Sequence, residues 1–66
     1  MTGEELKRYR QRAKLTQQRL GEMLGYEGRN AELMVQHWEH DRLNVPVKVI
    51  KPLAKILNIP TEELLP

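Results

Sequence analysis

A chain of 66 residues with a formal net charge of +2 has room for one hydrophobic core. Such a core buries only about 60% of the surface that the unfolded chain would expose, so a single domain over residues 1–66 is expected, with nearly every large apolar residue inside it. The lack of cysteine excludes disulfide staples and thiolate metal sites, no apolar run approaches the roughly 20 residues of a bilayer span, and the acidic start Met1-Thr2-Gly3-Glu4-Glu5 is unlike a secretory signal. The chain reads as soluble and cytoplasmic.

With no Phe, two Tyr and one Trp, the core must be drawn from Leu, Ile, Val and Met, which suits all-helical packing. Leu6, Tyr9 and Ala13 recur at helical steps and predict a first helix from Thr2 to about Lys14. Thr2 can cap it, and Glu4 and Glu5 suit the positive end of its dipole. Lys7, Arg8, Arg10, Arg12, Lys14 and Arg19 form a basic run, while Glu4, Glu5, Glu62 and Glu63 lie at the ends. Alone, such a run is a solvated helix face.

Thr16 starts a second helix, with Leu20, Met23 and Leu24 as its apolar stripe and Gly25 as its left-handed stop. Gly21 lies inside this helix at a cost of about 1 kcal/mol relative to Ala, so it needs a packing reason. The stretch Tyr26-Glu27-Gly28-Arg29-Asn30 reads as a turn that ends on a capping Asn, predicting a third helix from about Asn30 to His40 with Val35 and Trp38 inward. Asp41 tolerates the left-handed geometry that would close it.

Pro52 is compatible with a helix only in the first turn, so regular helix is predicted from about Val49 to Leu57, with a looser turn from Val47 after Pro46. Its inner stripe is Val49, Ile50, Leu53, Ala54 and Leu57. Asn58 caps it, Ile59 packs down, and Thr61 to Leu65 gives one last short turn. The expected fold is an all-α bundle of four helices plus a short C-terminal helical turn.

Chemistry-bearing groups are sparse: there is no Cys or Ser, and the carboxylates are scattered, so no nucleophile and base pair is indicated. His37 and His40 stand three apart, which raises a metal site, but no carboxylate cluster flanks them and they read as solvent-facing. Gly21, Gly25 and Gly28 follow no predicted strand and form no phosphate loop. The chain implies no metal, no cofactor and no enzyme.

The informative set is Leu15-Thr16-Gln17-Gln18-Arg19-Leu20-Gly21-Glu22-Met23-Leu24-Gly25 followed by Val35-Gln36-His37-Trp38-Glu39. Here the chain resembles the phage-repressor and Cro-like (Xre-type) helix-turn-helix family, with Leu53-Ala54-Lys55-Ile56-Leu57-Asn58-Ile59 resembling that family's fourth-helix ending. The resemblance runs from about Leu6 to Leu65, and Gly21 stands where the family usually has Ala. It implies that Gln17, at the start of helix 2, offers its amide to a phosphate, with Gln18 beside it. It also implies that Arg10 pairs with Glu39 to lock helix 1 to the recognition helix, although Arg10 could lean toward the DNA backbone instead.

About four residues more than the family pattern lie between Gly25 and Trp38-Glu39. Either the turn is enlarged or helix 3 gains a turn at its start, and base-reading positions do not carry over across residues 27–34. Helical geometry with Val35 and Trp38 inward leaves Arg29, Leu33, Gln36, His37 and His40 on or near the outer face. Gln36 suits adenine, Arg29 suits guanine or a phosphate, and Leu33 could meet a thymine methyl or pack under the turn. Asn30 could contact a base where capping does not claim it. His37 and His40 are phosphate donors, stronger if protonated. Arg42, Asn44 and Lys48 fall in the segment that in the family lies against the sugar-phosphate backbone. Glu27 and Glu32 should point away from phosphates or discriminate among bases.

The resemblance implies a sequence-specific transcription regulator of prophage or plasmid type, binding double-stranded DNA as a homodimer on a two-fold related operator, with no membrane partner. The rival reading is a protein-interaction module on the same fold, such as the antitoxin of a toxin pair, and it rests on Glu27 and Glu32.

Overall fold

The fold is a computed structural model that describes residues 1–65. Helix α1 spans Gly3–Arg12, α2 Gln17–Met23, α3 Gly28–Glu39 and α4 Val47–Leu57, and a 3-10 turn spans Thr61–Leu64. No strand occurs among the described residues, and no helix is long and apolar enough to cross a membrane.

The helix starts follow from local chemistry. Thr2 and Glu5 form a capping box: the Thr2 hydroxyl accepts from the Glu5 N–H and the Glu5 carboxylate accepts from the Thr2 N–H at 2.9 Å. Two N–H groups that the helix leaves free are thereby satisfied. The Thr16 hydroxyl likewise accepts from the Arg19 N–H.

All four helices end in the same way, with one residue in the left-handed region and the next N–H reaching back five residues. These residues are Lys14 (φ 61°), Gly25 (φ 100°), Asp41 (φ 58°) and Asn58 (φ 57°). The long bonds run from Leu15 to the Arg10 carbonyl, from Tyr26 to Gly21, from Arg42 to His37 and from Ile59 to Ala54. Asp41 and Asn58 close their helices as the sequence suggests. Helix α1 stops at Arg12 rather than Lys14, because Lys14 itself takes the left-handed position.

Two further boundaries differ from expectation. Helix α3 begins at Gly28, so Asn30 is inside its first turn and caps nothing; Glu27 stands at the cap without a side-chain bond. The additional residues therefore lengthen the helix instead of enlarging the turn. Gly28 enters with φ 53°, a value that glycine adopts without penalty. Helix α4 is regular from Val47, which puts Pro52 in its second turn. The carbonyl of Lys48 then lacks its helical partner, but Lys48, Lys51 and Pro52 are exposed and water can replace the bond.

The core joins Leu6, Leu20, Val35, Trp38, Leu53 and Leu57, all at most 2% exposed, with Val49, Ile50 and Leu64 around them. Tyr26 meets Trp38 edge-on at 5.9 Å. The most extensive helix contact is between α2 and α3, where a Cβ on Gly21 would lie 2.3 Å from the Ala31 carbonyl oxygen. That approach is the reason for a glycine inside α2. Gly3 does the same at the other end of α3, where a Cβ would meet the Glu39 carbonyl oxygen.

Candidate nucleic-acid interface

A chain of polar side chains links the bundle's interior to the outer face of α3. Arg10 and Glu39 are each 8% exposed. Arg10 Nε donates to Glu39 Oε2 at 2.5 Å, its Nη2 donates to Oε1 at 3.2 Å, and its Nη1 donates to the Leu15 carbonyl at 2.8 Å. One guanidinium thus ties α1, the turn after it and the end of α3, and it is not available to lean toward DNA. The fork geometry of Arg suits this two-point pairing with a carboxylate.

The chain continues outward. Gln17 Nε2 donates to Glu39 Oε1 at 3.0 Å, and Gln36 Nε2 donates to Gln17 Oε1 at 3.2 Å. The order of donors is dictated by chemistry: a carboxylate paired with a guanidinium only accepts, so the NH2 of Gln17 must face it. Its oxygen must then face Gln36, which answers with its own NH2. Gln36 is left with its carbonyl oxygen and one N–H unspent. Gln17, half-buried between the two, is engaged within the protein, a contact that a reading of helix starts alone does not reveal.

The other candidates lie around this pair. Gln18 is exposed and its Nε2 donates to Glu22 at 3.3 Å. Arg29 and Asn30 are exposed on the first turn of α3, and Leu33, Gln36 and His37 are half-buried along its length. Leu33 is not among the residues packed against the core, and no enlarged turn covers it. His37 has Nδ1 enclosed without a partner. His40, Arg42, Asn44 and Lys48 are exposed at the end of α3, in the following loop and at the start of α4. Gln17 and Gln36 are brought into contact; the others do not bond to one another.

The basic run of the first two helices is divided by the fold. Arg10 is buried, and Arg12 lies over the Tyr9 ring at 4.7 Å and reaches the Leu57 carbonyl at 3.5 Å. Lys7, Arg8, Lys14 and Arg19 are exposed. Gly3 is the structural residue that the sequence reading passed over. Its N–H donates to Asp41 Oδ1 at 3.0 Å, and a glycine in a first helical turn was a signal of the same kind as Gly21. No group of three or more His, Asp or Glu residues that could hold a metal ion comes together among the described residues.

A family profile described as helix-turn-helix matches residues 6–64. No curated protein and no solved structure matches the chain. With α2 and α3 packed across Gly21 and the profile spanning nearly the whole sequence, the chain belongs to the helix-turn-helix family of DNA-binding regulators, of the Cro and phage-repressor (Xre-like) type.

Proposed function

We propose that this protein is a sequence-specific double-stranded DNA-binding transcriptional regulator of the repressor type that lays α3 in the major groove. The observation that carries the reading is the fixed amide of Gln36. Its free oxygen and remaining N–H form the acceptor and donor pair that adenine's N6 and N7 edge takes. Because the Arg10, Glu39 and Gln17 chain sets that polarity before any contact, the amide meets a base preorganised.

Arg29 and Leu33 lie on the same side of α3 and add a guanine or phosphate contact and a thymine-methyl contact, with Asn30 at the flank. Gln17, Gln18, His37, His40, Arg42, Asn44 and Lys48 surround this stripe and anchor the phosphates, which position the helix without reading sequence. Gln17 would do so through the second hydrogen of its NH2 group.

A domain of this size gains affinity by pairing. Two copies on a two-fold related operator would place their α3 helices about 34 Å apart, one turn of DNA. Val47, 85% exposed, and Leu65, 48% exposed, line one cleft with Asn44 beside the loop that follows α3. That cleft includes Asn44, one of the proposed phosphate contacts, and a second copy would cover it.

The test is a titration of binding to mixed duplex DNA against salt. A steep loss of affinity as salt rises supports the reading, since released counterions drive phosphate binding. Absence of binding even at low salt would favour a protein-interaction module on this fold.

A further inference from the structure

Glu32 is a half-buried carboxylate on α3, four residues before Gln36, and it makes no hydrogen bond or ion pair among the described residues, where Arg10 with Glu39 is the one salt bridge. Even Arg29, one turn away on the same helix, does not pair with it. A lone acidic group is costly beside phosphates, and the nearest basic residue on its own helix is Arg29, three residues before it. Its persistence in the row of Gln36 asks for a use.

Helix geometry defines that use. At about 100° and 1.5 Å per residue, Glu32 and Gln36 lie roughly 40° apart around α3 and about 6 Å apart along it. The lengthening of α3 to Gly28 places Glu32 in the second turn, inside regular helix and clear of the fraying end. Stacked bases are spaced at about 3.4 Å, so the two side chains would meet bases about two steps apart.

The chemistry then selects one base. A carboxylate only accepts hydrogen bonds. In the major groove guanine presents two acceptors, thymine an acceptor and a methyl group, and adenine an acceptor beside its donor, whereas cytosine presents the N4 amino donor alone. We propose that Glu32 is a specificity-determining residue that accepts from cytosine N4 about two base pairs from the adenine met by Gln36, and that repels the other bases. This deepens the DNA-binding reading above and rests on it. It gives the carboxylate two effects: preference for cytosine at one position, and weaker binding to every duplex that lacks it.

The experiment selects bound fragments from random duplex DNA with the full chain, wild type and the variants Glu32→Ala and Glu32→Gln. The wild type is expected to enrich a motif with cytosine about two positions from an invariant adenine. Glu32→Ala should keep the adenine, lose the cytosine preference by about tenfold and bind unrelated duplex more tightly than the wild type. The near-isosteric Glu32→Gln should move the preference at that position from cytosine toward adenine, and it preserves the test if the alanine variant folds poorly. An unchanged motif in both variants would overturn the role of Glu32 while leaving the DNA reading intact. Failure of the wild type to enrich any motif would overturn both.

Discussion

Gly21 and Ala31 pack backbone against backbone, with no room between α2 and α3 for even a methyl group: a Cβ built on Gly21 would sit 2.7 Å from the Ala31 Cα. Ala31 is fully buried, and the contact is made by main chain, which cannot swing aside as a long side chain would. Gly21→Ala is therefore expected to lower stability by about 1–3 kcal/mol despite the better helix propensity of alanine, because α2 must move off α3. Urea denaturation followed by Trp38 fluorescence measures it. A stabilised variant would mean that the helices part without loss.

The buried Arg10 and Glu39 pair should be far more costly to break than to replace. Removing either partner strands a charge out of water, and Glu39→Ala should cost about 3–5 kcal/mol. Arg10→Met combined with Glu39→Leu should recover much of that loss. Measuring the two singles and the double in one cycle reports the coupling.

Lys14 occupies a left-handed position that a side chain enters at a cost of about 1–2 kcal/mol. Lys14→Gly removes this strain, partly offset by the greater freedom of glycine in the unfolded chain, and should stabilise the protein by about 0.5–1 kcal/mol. The midpoint of thermal unfolding should rise.

The capping box predicts a specific response to acid. The backbone N–H of Thr2, and then its hydroxyl, hold the Glu5 carboxyl below its ordinary value of 4.5. A lowered folded-state value means that this contribution is full above the ordinary value and disappears as pH falls through the lowered one. Glu5→Gln should therefore flatten that part of the stability profile below about pH 4.5 and leave its shape at neutral pH unchanged, as denaturant midpoints across the range would register.

Much of this architecture is legible in the chain. Thr16, Leu20, Leu24 and Gly25 define α2 locally, although Met23, expected in the same buried stripe, is 44% exposed; the end of α3 follows from Val35, Trp38 and a residue tolerant of left-handed geometry. The start of α3 is not legible, because Asn30 is a better cap than Glu27 by local preference. The packing of Ala31 against Gly21 and the freedom of Gly28 override that preference by one turn. Pro52 misleads for a related reason: its missing bond is harmful only if water is excluded, and exposure is a property of the fold. At the candidate interface, Arg10 and Glu39 are suggested by resemblance, but the link through Gln17 to Gln36 depends on three helices meeting and has no signature in the sequence.

Phosphate anchoring and base reading should separate by mutation. Arg42→Ala is expected to weaken binding to all duplexes alike and to reduce the salt slope by about one unit, whereas Gln36→Ala should act at a single base position.

The most direct measurement of the central claim is a selection from random duplex DNA with the wild type, Gln36→Ala and Gln17→Ala. Gln36→Ala should lose the adenine preference at one position and keep the rest of the motif. Gln17→Ala, which frees the amide of Gln36 to turn, should relax preference at that same position. A motif unchanged by Gln36→Ala would contradict the placement of α3 in the groove, and a Gln17→Ala variant that keeps the full adenine preference would contradict the fixed amide.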